Sequence, residues 1–193
     1  MRRTRTFHNA GILALLTFSC TVLAQTRHDI DVEKSVLTIR VYKSGLFSAF
    51  AHDHEIRAPI QSGSFDEQKR TVEFKVQSAQ LKVLDPDASD NERSQVQNTM
   101  LGPKVLDPEK FPEINFHSTS IDPAGEGKWN VQGELALHGQ THPVKVEVTG
   151  ANGSYRGSTR LRQTQFGITP VRIGGGSIKV KDEVQIEFEI RGR

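Results

Sequence analysis

The feature that most constrains the fold is an alternation of apolar and polar residues that recurs from Ser35 onward. In residues 184–190 every second residue is Val, Ile or Phe, and the residues between are Gln or Glu. Successive side chains of a strand point to opposite faces, so this period predicts half-buried strands. A helix with the same spacing would spread its apolar residues around the whole cylinder, which argues against helix.

Turn-type sequences rich in Gly, Asn, Asp and Pro separate the alternating runs. They are residues 61–63, 122–125, 138–140, 150–153 and 174–176. The alternating runs and the turns between them predict about eight strands with short connections. Consecutive antiparallel strands that each keep one polar face are typical of a barrel or a sandwich. The sequence therefore predicts an all-β fold of one domain.

One segment departs from this pattern and predicts a short helix. Ser89 and Glu92 have the spacing of a capping box, in which their side chains satisfy free backbone amides at the helix start. Val96 and Met100 are four residues apart and fall on one helical face. The Gly-Pro pair that begins at Gly102 ends the helix.

The N-terminal segment has the composition of a secretory leader. Residues 1–5 include three arginines and no acid, and an apolar run of roughly 15 residues then ends in Val-Leu-Ala at Ala24, too short to span a bilayer. We expect residues 1–24 to be a signal peptide cleaved after Ala24, and residues 25–193 to form one periplasmic or secreted domain. A lipoprotein anchored at Cys20 is the alternative, although residues 17–19 match that type of processing poorly.

Composition and missing motifs narrow the function classes. The formal net charge of +2 gives no reason to expect nucleic acid as a partner. The single cysteine excludes a disulfide within the chain and a cysteine-based zinc finger. The sequence has no Gly-x-Ser-x-Gly elbow and no glycine-rich phosphate loop, so we expect a protein that is not an enzyme.

The interior of such a barrel allows two interpretations. A closed barrel of about eight strands is either filled by its own side chains or holds one small ligand. The inward series is rich in Leu, Ile, Val and Phe, so an open cavity would be apolar and would favour an extended apolar molecule. Periodicity alone leaves both interpretations open.

Several stretches, in order along the chain, resemble the YceI-like family of exported bacterial proteins. They are residues 28–31, 35–41, 45–46, 92–93, 105–107, 110–112, 116–120, 133–144, 165–168 and 182–184. The most characteristic is the hairpin GELALHGQTHPV at residues 133–144. Two segments depart from the family pattern by being longer: the stretch after Gly45, which contains the sequence AHDH, and residues 99–104.

The resemblance implies a closed, antiparallel, eight-stranded lipocalin-like barrel with one short flanking helix. It also implies an elongated pore that binds a polyisoprenoid-type lipid, such as a polyprenyl phosphate or a quinone-like tail, for sequestration or transport. No catalytic residue and no cofactor other than this lipid comes with the family. Transient membrane contact is compatible with such a role, and the oligomeric state stays open, a dimer included.

The alternation along each strand predicts which side chains face the interior and could bind the ligand. One β-bulge would reverse the inward and outward faces of the rest of its strand. The inward set is Leu37, Ile39, Val41, Phe50, Val72, Phe74, Phe116, Leu135, Leu137, Val146 and Phe188, and the residues expected at the mouth are Phe47 and Phe166.

Histidines supply the alternative function, a metal-binding or metal-responsive envelope module. In an extended strand His52 and His54 point to the same face and could share a divalent metal. Further ligands would have to come from His117, His138, His142, Asp53 or Glu55. The favoured interpretation of the motif is that these are polar histidines at a strand end or loop, and a pH-sensitive patch is a further alternative. A third class of function is a domain with a filled core that binds another envelope protein.

The sequence Asp-Pro-Asp at residues 85–87 predicts a turn. Its acidic side chains are expected to hydrogen-bond local backbone groups.

Overall fold

The computed structural model describes residues 27–44, 53–173, 175 and 178–193. The strands are β1 (Arg27–Asp29), β2 (Val36–Ser44), β3 (His54–Arg57), β4 (Ile60–Asp66), β5 (Thr71–Gln77), β6 (Lys82–Val83), β7 (Glu113–Gly125), β8 (Lys128–Leu137), β9 (Gln140–Ala151), β10 (Ser154–Arg162), β11 (Arg172–Ile173) and β12 (Ile178–Arg191). One α-helix, α1 (Asp90–Leu101), and two 3-10 turns, Ser78–Gln80 and Gln163–Phe166, complete the described elements. The leader at residues 1–24 lies outside the described residues.

The strands form one curled antiparallel sheet in the order β1-β4-β5-β7-β8-β9-β10-β12-β2-β3-β6, with β11 paired to β12. A bridge between Ile30 and Gly192 brings the segment after β1 to the end of β12. Two backbone hydrogen bonds reinforce it: the Asp31 N–H donates to the Arg191 carbonyl at 2.7 Å, and the Arg193 N–H to the Asp29 carbonyl at 2.9 Å. The sheet as a whole curls into a half-barrel.

The all-β fold with one helix is as predicted, but the closed sheet of eight strands is not confirmed. Eleven strands follow one another in the sheet order, and β11 attaches to β12. The difference lies in β1, β3, β6 and β11, which have two to four residues each. A strand this short completes at most two periods of alternation, so it leaves no pattern in the sequence.

The long strands follow from the alternation and from their turns. β12 pairs with β10 over nine residues, and the side chains that alternate along both strands face the interior and the solvent in turn. The β8–β9 hairpin closes over two residues, His138 and Gly139, which both have positive φ values of 50° and 73°. This is the backbone conformation that two-residue hairpins require.

Helix α1 begins as the sequence predicts. The Ser89 side chain accepts a hydrogen bond from the Glu92 N–H, and the Glu92 carboxylate accepts one from the Ser89 N–H, which completes the capping box. Midway along α1, Gln97 accepts a bond from the Val83 N–H and donates one to the Leu81 carbonyl, both at 2.8 Å. These bonds hold the helix against the short edge strand β6. None of the helices described is long and apolar enough to cross a membrane.

The hydrophobic core has two clusters of fully buried residues, and the same partly buried side chains contact both. The shared set includes Ile39 and Val41 of β2, Val72 and Phe74 of β5, and Ile186 and Phe188 of β12. Inward-facing apolar side chains that remain partly exposed must border a space inside the sheet.

Candidate functional site

The space inside the sheet is a cavity of about 830 Å³. Nine strands line it, namely β2–β5, β7–β10 and β12, and α1 contributes further side chains. Most of its lining residues are Leu, Ile, Val and Phe. The volume falls within the range of about 300–1,000 Å³ that is usual for small-molecule sites. Of the two interpretations of the interior, the hollow one agrees with this geometry.

Most of the residues expected to bind a ligand border this cavity. The lining includes Leu37, Ile39, Val41, Val72, Phe74, Phe116, Leu135, Leu137, Val146, Phe166 and Phe188. Phe166, expected at a mouth, is only 1% exposed and lies in the second core cluster. Phe47, Phe50 and His52 lie outside the described residues. That any of these residues contacts a ligand stays a prediction.

Glycines on the inner face let phenylalanine rings lie along the cavity wall. A Cβ built on Gly157 would be 2.7 Å from Cζ of Phe188, its direct partner on β12, and 2.4 Å from the Glu147 carbonyl oxygen. A Cβ on Gly133 would be 2.5 Å from the Phe116 ring. The rings therefore rest on the neighbouring backbone. The sequence analysis missed these glycines, although a glycine within a strand often marks such a close approach.

At one end of the cavity, Tyr155 joins β10 to the β4–β5 turn. Its hydroxyl donates to Oε1 of Glu67 at 2.6 Å, and the Gly153 N–H donates to the same oxygen at 3.1 Å. Burial, and next the hydrogen bond to Glu67, raise the pKa of the Tyr155 phenol above its ordinary value. Tyr155 and Glu67 both line the cavity. The phenol thus remains neutral and hydrogen-bonded at this end.

A second polar contact lies where β3 meets the segment after β6. Nδ1 of His54 is hydrogen-bonded to Oδ2 of Asp85 at 2.6 Å, and Oδ1 of Asp85 accepts the Glu55 N–H at 2.8 Å. The Asp85 side chain is only 3% exposed, and His54 lines the cavity opposite Val41 of β2. The expectation that this acid bonds local backbone was wrong, because its carboxylate reaches across to β3.

The structure separates the other histidines that were considered as metal ligands. His117 lies against Glu134, with Nε2 and Oε2 3.3 Å apart. His138 bonds to the Phe166 carbonyl at 3.0 Å through Nδ1, and His142 packs its ring edge-to-face on the same phenylalanine. Among the residues that the structure describes, no three His, Cys, Asp or Glu side chains are close enough to hold a metal ion. A metal at His52 and His54 stays a prediction.

Comparisons with known proteins agree with the fold and with the earlier resemblance. Residues 28–192 match the YceI-like domain. A UPF0312 protein of Vibrio parahaemolyticus is 31% identical over 153 residues, covering 74% of this chain and 72% of the relative. A UPF0312 protein of Pseudomonas savastanoi is 32% identical over 94 residues, covering 44% and 47%. The crystal structure of Burkholderia cenocepacia BcnA superposes with a TM-score of 0.63 at 22% identity, covering 85% of this chain and 99% of BcnA. The chain belongs to the YceI-like family.

Proposed function

We propose that this protein binds a polyisoprenoid-type lipid in its central cavity, for sequestration or transport, without covalent chemistry. The observation that carries the proposal is the volume of about 830 Å³ bordered by branched aliphatic and phenylalanine side chains. A polyprenyl phosphate or a quinone-like tail has the methyl-branched, extended shape that such a wall accommodates.

The energetics favour a long chain over a small apolar molecule. Each buried CH₂ group contributes about 0.8 kcal/mol, and association costs about 4–15 kcal/mol in lost translation and rotation. An apolar ligand therefore needs roughly 5 to 19 buried carbons before binding becomes favourable.

Two further parts of the proposal concern the closure of the sheet and the location of the protein. The bridge between Ile30 and Gly192 supports a closed, lipocalin-like barrel around the bound lipid. The arginine-rich, apolar residues 1–24 support export to the periplasm or beyond and cleavage after Ala24. Lipid exchange would then require transient contact with a membrane.

The test is organic extraction of the mature protein purified from its native host, followed by mass spectrometry. Val148 lines the cavity, whereas Glu147 is exposed on the opposite face of the same strand. We expect an isoprenoid in the wild-type extract, a reduced amount from Val148→Trp, and an unchanged amount from Glu147→Trp. An extract without lipid from folded wild-type protein would overturn the proposal, as would equal occupancy in the two tryptophan variants.

A further inference from the structure

The contact between His54 and Asp85 places a polar group in a wall that is otherwise mainly apolar. A buried carboxylate is unfavourable unless its oxygens are hydrogen-bonded. Here each oxygen of Asp85 has a donor, the Glu55 N–H for Oδ1 and Nδ1 of His54 for Oδ2. Arg93 of α1 also donates to the Asp85 main-chain carbonyl at 3.0 Å, which fixes the backbone of this residue. The carboxylate therefore has a defined position and orientation.

This arrangement determines which nitrogen of His54 faces a ligand. An ionised carboxylate only accepts hydrogen bonds, so the hydrogen of the neutral imidazole lies on Nδ1. Nε2 then carries a lone pair, and no residue in the described ranges bonds to it. The side chain is 24% exposed and lines the cavity. Gln95 and Thr99 of α1 line the same cavity, which adds polar side chains to its surface.

We propose that His54, oriented by Asp85, binds the terminal oxygen of the lipid, and that this terminal group carries an O–H: an alcohol, or a phosphate or other acid. A neutral imidazole accepts the hydrogen of such a group, and an imidazolium donates to its oxygen, so both charge states bind it. An ether can only accept, so the neutral imidazole leaves Nε2 unpaired against it. Asp85 is a positioning residue. The inference rests on the proposed lipid-binding function and specifies its head group.

The test compares two probes with the same chain, all-trans geranylgeraniol and its methyl ether, by calorimetric titration of the mature protein. We expect wild type to bind the alcohol about ten- to a hundredfold more tightly, the range expected when an acceptor that the bound lipid shields from water loses its partner. Geranylgeranyl monophosphate is the third probe. Tighter binding than the alcohol identifies a phosphate head group, and equal or weaker binding identifies a hydroxyl.

Two variants separate recognition from structural support. His54→Asn retains an N–H near the position of Nδ1 for Asp85 but removes Nε2, so we expect the alcohol and the ether to bind equally. In Asp85→Asn the amide oxygen has to accept the Glu55 N–H, so the amide nitrogen donates to Nδ1. The hydrogen of His54 then moves to Nε2, which donates to either probe. The preference disappears because ether binding improves, a gain that loss of structure would not produce.

The outcomes distinguish this inference from the proposed function. Equal binding of alcohol and ether by wild type overturns the role of His54 and leaves the lipid-binding proposal standing. Binding of no probe overturns both. If His54→Asn does not fold, as judged by circular dichroism, the wild-type preference and its loss in Asp85→Asn still decide the matter.

Discussion

Replacing Gly157 by alanine tests the close packing of Phe188 against the cavity wall. The new Cβ would lie 2.7 Å from Phe188 Cζ and 2.4 Å from the Glu147 carbonyl oxygen, whereas carbon atoms in contact are normally about 3.5–4.0 Å apart. Because the oxygen belongs to the backbone of β9, the strands themselves have to move. Overpacking of this kind costs about 1–3 kcal/mol in the free energy of unfolding. For a domain of this size that lowers the Tm by roughly 2–12 °C.

Urea denaturation and a thermal melt of the Gly157→Ala variant provide the measurement. Elsewhere in a strand the same exchange stabilises by about 0.5–1 kcal/mol, so the expected sign is opposite to the ordinary one. Ser158→Ala, on the exposed face of the next position, is the matched control and should change stability by less than about 0.5 kcal/mol. An unchanged or raised Tm for Gly157→Ala would refute the packing argument.

Three more predictions concern contacts that support the cavity. Ser89→Ala removes the acceptor for the Glu92 N–H and should lower the unfolding free energy by about 0.5–2 kcal/mol in urea titrations. Gln97→Ala leaves two backbone groups at β6 without their partner, and we expect a loss of about 1–3 kcal/mol together with faster amide exchange in α1. Because the pKa of Tyr155 is raised on folding, its contribution to stability is complete below pH about 10 and is lost as the pH rises further. Tyr155→Phe should therefore show a flatter fall of stability above that pH, and identical slopes for the two proteins would contradict a Tyr155 pKa raised by burial and by the bond to Glu67.

The sequence predicts the long strands and the helix well because their signals are local. Each signal depends only on residues close together in the sequence, as in the alternation at residues 184–190 and the capping pair at Ser89. Parity also places residues such as Ile39 on the cavity side, since β2 has no bulge between Val36 and Val41. These predictions need no knowledge of the partner strands.

What the sequence could not predict depends on contacts between distant segments. His54 and Asp85 are 31 positions apart, and nothing near either residue indicates the other. Gly157 has no side chain to contribute to an apolar period, and its role appears only when Phe188 is placed opposite it on β12. The half-barrel has the same origin, because its two- to four-residue strands form only where a longer neighbour presents an edge.

The contacts that join the segment after β1 to β12 also bear on how the chain reaches its native state. The Arg191 N–H bonds to the Ser35 hydroxyl across 156 positions of sequence, so this part of the sheet has a very high contact order. Neighbouring hairpins such as β8–β9 can form early, whereas this joint requires nearly the whole chain to be present. Until then the outer edge of β1 and the last residues of β12 lack this partner and can pair with other chains. Truncating the chain so that it ends before Gly192 should therefore promote aggregation. The effect on the stability of any single strand should be smaller.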